Sequence, residues 1–223
     1  MLKPAIIPLL AIFAGHNQLE TRLDLFSGDS KIGTGLYRET IDHKGHRKIE
    51  FHIWGQRADG TKVAIAQTKL IDDKAFPITE DEKYIEQASG PNGPRTETLY
   101  HVRYDDSGAA VFSMTSGKNS TTRRTYPPLP GYSRADASDL WFSKTVPLPG
   151  TTVTSTVFDI ENQNWQVVET TFLKRTWITV GGRQIEANEV RDIRDGKVRK
   201  VYLDDKGQPV LMKNGQLRTE KHF

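Results

Sequence analysis

Beyond residue 18 the chain is dominated by a period of two. Leu19, Thr21, Leu23 and Leu25 alternate with Glu20, Arg22 and Asp24; Ile49, Phe51 and Ile53 alternate with Lys48, Glu50 and His52; Tyr100, Val102 and Tyr104 alternate with His101 and Arg103. Successive side chains of a strand point to opposite faces, so each run predicts a strand with one face buried and the other in water. The same pattern predicts strands over Lys31–Ile41, Thr61–Ile71, Glu82–Ala88, Ala109–Met114, Asn119–Tyr126, Thr151–Ile160, Trp165–Leu173, Arg175–Val180, Arg183–Ile193, Val198–Leu203, Pro209–Lys213 and Gln216–Lys221.

The segments between these runs carry hairpin chemistry. Asp59-Gly60, Gly181-Gly182, Asp195-Gly196 and Asn214-Gly215 accept positive φ at little cost, and His43-Lys44-Gly45-His46 and Lys206-Gly207 do so less sharply. Sequential strands therefore pair locally into a long antiparallel meander, which excludes a parallel α/β fold and a nucleotide-binding βαβ unit. Val102–Val111 and Val201–Val210 share the pattern V-x-[YL]-D-D-x-G-x-x-V. Adjacent carboxylates on a strand point to opposite faces, so Asp105-Asp106, Asp204-Asp205 and Asp72-Asp73 are read as turn residues, not a catalytic or metal-binding pair.

One segment breaks the alternation. Pro127, Pro128, Pro130, Pro147 and Pro149, five of the eleven prolines, flank Ser133–Phe142. Ser133 and Asp136 have the spacing of a capping box, and Ala135, Ala137, Leu140 and Trp141 suit a helix of two to three turns near residues 133–143. Leu140-Trp141-Phe142 is too apolar for a solvated linker between two sheets, so the segment is expected to act as a lid. The fold class is all-β: a mostly antiparallel curved sheet or open half-barrel with one short lid helix. It forms a single domain over 15–223, with the Pro-rich helical insertion at 127–150.

The N-terminus has a different character. Met1-Leu2-Lys3 is a short positive start, Pro4–Phe13 is an uncharged stretch of about ten residues, and Ala14-Gly15 supplies small residues at its end. Met1–Ala14 reads as a signal peptide, which places the mature chain in the periplasm or outside the cell. A retained anchor and a buried first element are the alternatives.

Composition narrows the chemistry. There is no Cys, which excludes disulfides, thiol nucleophiles and Cys-ligated metals. The net charge of +3 is the small difference between 31 basic and 28 acidic residues. Arg123-Arg124 and the mixed run Arg191–Lys200 read as solvated strand faces, so no nucleic-acid partner is expected. No glycine-rich nucleotide loop and no GxSxG elbow occurs, and the six His form no HExxH or helical i, i+4 pair. The expectation is a protein with no catalytic residues, no cofactor and no metal, with weak calcium binding at Asp-rich turns as the one loose end. Four Trp, nine Phe and seven Tyr are enough to line a cavity or fill a core.

An exported chain of sequential antiparallel strands, a Pro-flanked helical insertion and the closing hairpin Val201-Tyr202-Leu203-Asp204-Asp205-Lys206-Gly207-Gln208-Pro209-Val210-Leu211-Met212 resembles the bacterial lipoprotein-localisation (LolA-like) periplasmic proteins and their uncharacterised relatives. That resemblance implies an open half-barrel under a helical lid, with an apolar interior that holds acyl chains or meets lipoproteins. The chain departs from the lipid carriers in its single lid helix and in lacking an identifiable gating arginine. The functional expectation is an exported, non-enzymatic carrier or sensor for a hydrophobic small molecule or lipoprotein, at most peripheral to the membrane, with Leu140, Trp141 and Phe142 as ligand-binding residues. A carbohydrate- or surface-binding adhesion module, with a flat exposed row of aromatic side chains, and an unrecognised hydrolase are the alternatives.

Overall fold

In a computed structural model of the protein, residues 17–90, 93–117 and 120–223 are described. The expected leader Met1–Ala14 and the first residue of the Asn119–Tyr126 strand lie outside them. The chain forms one antiparallel sheet of 14 strands. Its first half comprises β1 (Asn17–Ser27), β2 (Ser30–Ile41), β3 (Arg47–Gln56), β4 (Lys62–Ile71), β5 (Pro77–Gln87), β6 (Arg95–Tyr104), β7 (Ala110–Ser116) and β8 (Ser120–Tyr126). The second half comprises β9 (Thr152–Asp159), β10 (Asn164–Val180), β11 (Arg183–Arg194), β12 (Lys197–Leu203), β13 (Pro209–Asn214) and β14 (Leu217–Lys221). Every sequential pair is hydrogen-bonded except β8 and β9, and β1 pairs with β14. The terminal strands thus sit in the middle of the sheet, while its two edges come from the middle of the sequence.

The predicted alternation survives as cross-strand rows. Gly35, Ile53, Ile65 and Tyr84 form one row on the inner face, and Tyr37, Phe51, Gln67 and Glu82 form the next. The register continues through Leu25, Thr219, Met212, Val201 and Val190 to Phe172, all on that same face. Phe158 and Trp165 oppose each other on the outer face of β9–β10. They nevertheless pack against inner-face residues of β6–β8: Phe158 lies 6.2 Å from Phe112 and 5.0 Å from Tyr126, and Trp165 lies 6.0 Å from Tyr104. The sheet therefore rolls past itself, with β9–β10 tucked beneath β6–β8. It closes by a buried aromatic overlap where a regular barrel would close by backbone hydrogen bonds.

A bulge at Leu173 redirects β10. The register shifts between Phe172 and Lys174, so beyond it Thr176, Ile178 and Val180 share the outer face with Ala187 and Ile185. This β10–β11 arm folds over the outside of β12–β13, and Val180, Ala187, Tyr202, Val210 and Leu211 make a second buried cluster. Its tip reaches the C-terminus, where Gly181 N–H donates to Glu220 and Arg183 stacks over Phe223.

The hairpin turns below β2, β4, β6 and β12 share one design at one end of the roll. Asp42, Asp72, Asp105 and Asp204 each accept hydrogen bonds at Oδ1 from groups two and four residues on. Gly45, Gly108 and Gly207 take φ of +83°, +88° and +78° at the corresponding position, where Ala75 is held at +67°. The Asp-Asp repeats are turn chemistry, as their place in the sequence implies.

Across this end runs the Pro-rich segment between β8 and β9. Ser133 carbonyl accepts from Thr156 N–H at 2.8 Å, Asp136 N–H donates to the Ala75 carbonyl at 3.3 Å, and Gly150 N–H donates to the Phe172 carbonyl at 2.7 Å. Lys144 Nζ donates to the Asp73 carbonyl, and the Arg134 guanidinium lies against Gly108. The expected helix is a single 3-10 turn, Ala137–Leu140. Its cap is Asp136, whose carboxylate accepts from Ser138 N–H, while Ser133 Oγ accepts from Ala135 N–H. Tertiary anchors on either side hold this stretch, leaving no room for the further turns that its Ala and Leu would support.

Candidate functional site

The space inside the roll is bounded by β1–β4 on one side and β11–β14 on the other, and it divides into two chambers. The upper chamber, about 1000 Å³, opens at the end of the sheet that carries the β1–β2 and β3–β4 turns. Leu25, Ile32, Ile53, Val63, Ile65 and Leu217 give it apolar walls, with Lys31 and Arg57 at the rim. Lys31 is paired to Asp24 at 2.7 Å and Arg57 to Glu86 at 2.9 Å. Gly55 of β3 is the strand glycine in its lining. Gly33 faces Gly55 across β2–β3, and Gly35 opposes Ile53 with only backbone beneath the side chains of Leu23 and Leu25. A side chain at Gly33 would meet the Trp54 carbonyl at 2.1 Å, so the strands here approach more closely than any other residue permits.

The lower chamber, about 350 Å³, lies one pleat deeper, since Phe51 and Gln67 follow Ile53 and Ile65 on the same faces of β3 and β4. Trp141, Ser138 and Asp139 of the Pro-rich segment close it from below, and Val190, Val201 and Met212 form the opposite wall. Its polar groups are organised in pairs. Arg47 and Glu39, both almost wholly buried, meet through Nε and Nη2 at 2.8 Å, and Tyr37 Oη donates to Glu39. Lys69 Nζ contacts Asp139 at 2.7 Å, and Arg199 contacts Asp192, which also accepts from Thr170.

Charge states follow from these surroundings. Burial opposes the Lys69 ammonium, yet the Asp139 carboxylate beside it outweighs that and holds its pKa above the ordinary lysine value. Burial raises the carboxyl pKa of Glu80, against the pull of Lys69 and the hydrogen bond from Tyr104. Burial and the neighbouring Asp139 charge do the same to Asp136. Burial of the Tyr37 phenol, reinforced by Glu39, keeps it protonated.

The three expected ligand residues are separated by these surroundings. Trp141, 4% exposed, lines the floor of the lower chamber against Phe172 and Val190. Phe142 packs edge-on to Phe172 at 5.2 Å, with φ of +61°. Leu140 is half-buried and lines neither chamber. The segment is a floor beneath the interior, at the end opposite the open mouth. The apolar wall residues were missed in the sequence because nothing in an alternating strand says which apolar face borders empty space. Gly55, a glycine inside a strand, is the signal that the sequence offers on that wall.

The best constellation for nucleophilic catalysis lies on the outer face. Asp81, His101 and Ser113 form one cross-strand row, with His101 Nδ1 2.6 Å from Asp81 Oδ1. His101 and Asp81 are about half exposed, and no hydrogen bond joins His101 to Ser113. Backbone N–H groups in mid-sheet serve the ladders, leaving no donor pair for an oxyanion. Among the described residues no group of three or more His, Asp or Glu is placed to hold a metal ion.

A rolled antiparallel sheet with an interior space and a capped end places this chain among barrel-like all-β proteins. A crystal structure from Brucella abortus, described as a beta-barrel-like protein of domain of unknown function DUF1849, has this fold: it superposes with a TM-score of 0.58 over 93% of this chain and 95% of that one, at 14% sequence identity. No family model and no curated protein matches the sequence.

Proposed function

We propose that the protein is an exported, non-enzymatic carrier or sensor for a hydrophobic ligand of the cell envelope, an acyl chain or a lipid-bearing partner, of the kind that the LolA-like resemblance implies. The observation that carries this reading is the upper chamber, an apolar space of about 1000 Å³ open at one end of the roll. Concave, mostly apolar sites of this size bury a small ligand well. The solvent-exposed Asp81–His101–Ser113 row lacks an oxyanion site, which favours a binding protein over a hydrolase. Exposed aromatics lie on separate elements, Trp54 on β3, Trp177 on the arm and Tyr132 on the Pro-rich segment, which favours the chamber over an adhesive sheet face.

Titration with a fluorescent fatty acid tests the proposal, comparing the parent with Ile53→Arg. Saturable binding lost in that variant is the expected result. No binding to the parent sinks the carrier reading. Export is tested separately by the intact mass of the protein from its native host, where loss of the first fourteen residues, about the length of a short leader, is expected.

A further inference from the structure

We propose, resting on the carrier reading above, that the ligand is an amphiphile with an anionic head group, bound tail first. Its chain fills the upper chamber, and its carboxylate or phosphate oxygens sit at the mouth on Lys31 and Arg57. Three observations lead there.

The first is the order of polarity along the walls. On β3 and the turn beyond it the lining runs Arg57, Gly55, Ile53 from the mouth inward, and on β4 it runs Val63, then Ile65. β1 contributes Ser27 at the mouth and Leu25 below it. Polar groups come first and apolar ones beneath, over about 13 Å from Arg57 to Ile53 at the rise of a strand. An amphiphile entering chain first finds hydrocarbon contacts inside and leaves its charge beside water, where it costs least. The lower chamber shares no lining residue with this one, so the whole ligand is assigned to the upper chamber.

The second is the sign of the charge. Among the described residues that line the upper chamber, the charged ones are Lys31 and Arg57, both cations. The carboxylates that pair with them, Asp24 and Glu86, lie outside the lining. A negative head group at the mouth therefore meets opposite charge, and a positive one meets like charge.

The third is spare hydrogen-bonding capacity. Lys31 Nζ contacts Asp24, while Arg57 donates from Nη1 to Glu86 and from Nη2 to Tyr84 Oη, both at 2.9 Å. An ammonium carries three donors and a guanidinium five, so both cations keep N–H groups for a ligand. Both are within reach, their side chains being 47% and 53% exposed. They stand two residues beyond Gly33 and Gly55, which oppose each other across β2–β3, so they lie on the same side of the mouth.

The experiment titrates the full chain with dodecanoate, dodecanol and dodecyltrimethylammonium by calorimetry, below their micelle concentrations. Dodecanoate should bind at least about threefold more tightly than dodecanol, the scale of one or two exposed charge pairs, and dodecyltrimethylammonium more weakly than dodecanol. Raising the salt from about 0.01 M to about 1 M, which shortens the screening length from about 30 Å to about 3 Å, should remove that advantage. The variant Lys31→Gln/Arg57→Gln should bind dodecanoate and dodecanol alike while keeping the parent's affinity for dodecanol; if it fails to fold, the salt dependence of the parent decides alone. Sodium acetate at the same concentrations should not displace dodecanoate; displacement would make the rim an anion site independent of the chain and overturn the proposal. Equal binding of dodecanoate and dodecanol by the parent overturns the head-group assignment and leaves the carrier reading standing. Failure of all three amphiphiles to bind overturns the carrier reading itself.

Discussion

Single residues in this protein are constrained most tightly where the Pro-rich floor meets the hairpin turns. Gly207 combines a φ of +78° with a location at which a methyl group would come 2.8 Å from the Trp141 carbonyl oxygen. Gly207→Ala should therefore cost about 2 kcal/mol or more, the left-handed backbone and the clash with main chain adding together. Gly215→Ala, at φ +60° with nothing within 4 Å, should cost only the backbone part, about 1 kcal/mol. Urea denaturation of both variants checks the difference. Asp136 gives a pH-dependent counterpart. Its folded carboxyl binds its proton more tightly than an unfolded one, because burial and Asp139 disfavour the anion. Its contribution is therefore fullest below about pH 4 and declines as pH rises toward its folded value. Asp136→Asn keeps an acceptor for Ser138 N–H and should flatten that decline; equal slopes of urea midpoint against pH in parent and variant would contradict the assignment.

Among the elements, the arm depends on one extra residue. Removing Leu173 would leave each pair of β10 with β11 as it stands, Phe172 with Val190 and Lys174 with Glu189, and take out the bulge that bends the arm. The straightened arm would lift from β12–β13, so Val180 and Ile178 should lose their packing on Tyr202 and Leu211 and residues 175–187 their amide protection, while β1–β6 keep theirs, as read by hydrogen exchange. The alternation at Leu19–Leu25 and Ile49–Ile53 was plain in the sequence, and so were the glycine turns. The bulge was not, since Trp165–Leu173 and Arg175–Val180 read as two strands, and only pairing with β11 makes them one. The helix expected at 133–143 illustrates the opposite limit: its local residues suit several turns, but contacts to Ala75, Thr156 and Phe172 permit one.

At the scale of the molecule, closure rests on side chains. Phe158→Ala removes the ring that touches Phe112, Tyr126 and Trp165 together, and should cost about 3 to 5 kcal/mol. A loss below about 1 kcal/mol in urea denaturation would show that the overlap does not hold the roll shut. Sequence reasoning reached the curved antiparallel sheet and the apolar Pro-rich segment. It could not reach the overlap, because Phe158 and Trp165 alternate like any strand residues and their partners lie on β6–β8. For the same reason it could not tell which end of the interior Trp141 would close.

The pairing of β1 with β14 also sets a timetable for synthesis. As the chain leaves the ribosome, β2 to β8 can each join the strand before it, but one side of β1 stays bare until β14 appears. Until then the nascent protein is a growing sheet with an open flank at β1, a template for strands of other chains. A chain ending at Asn214 would keep that flank for good. It should accumulate as aggregates, and a synthetic peptide spanning Gly215–Phe223, supplied in trans, should return it to solution.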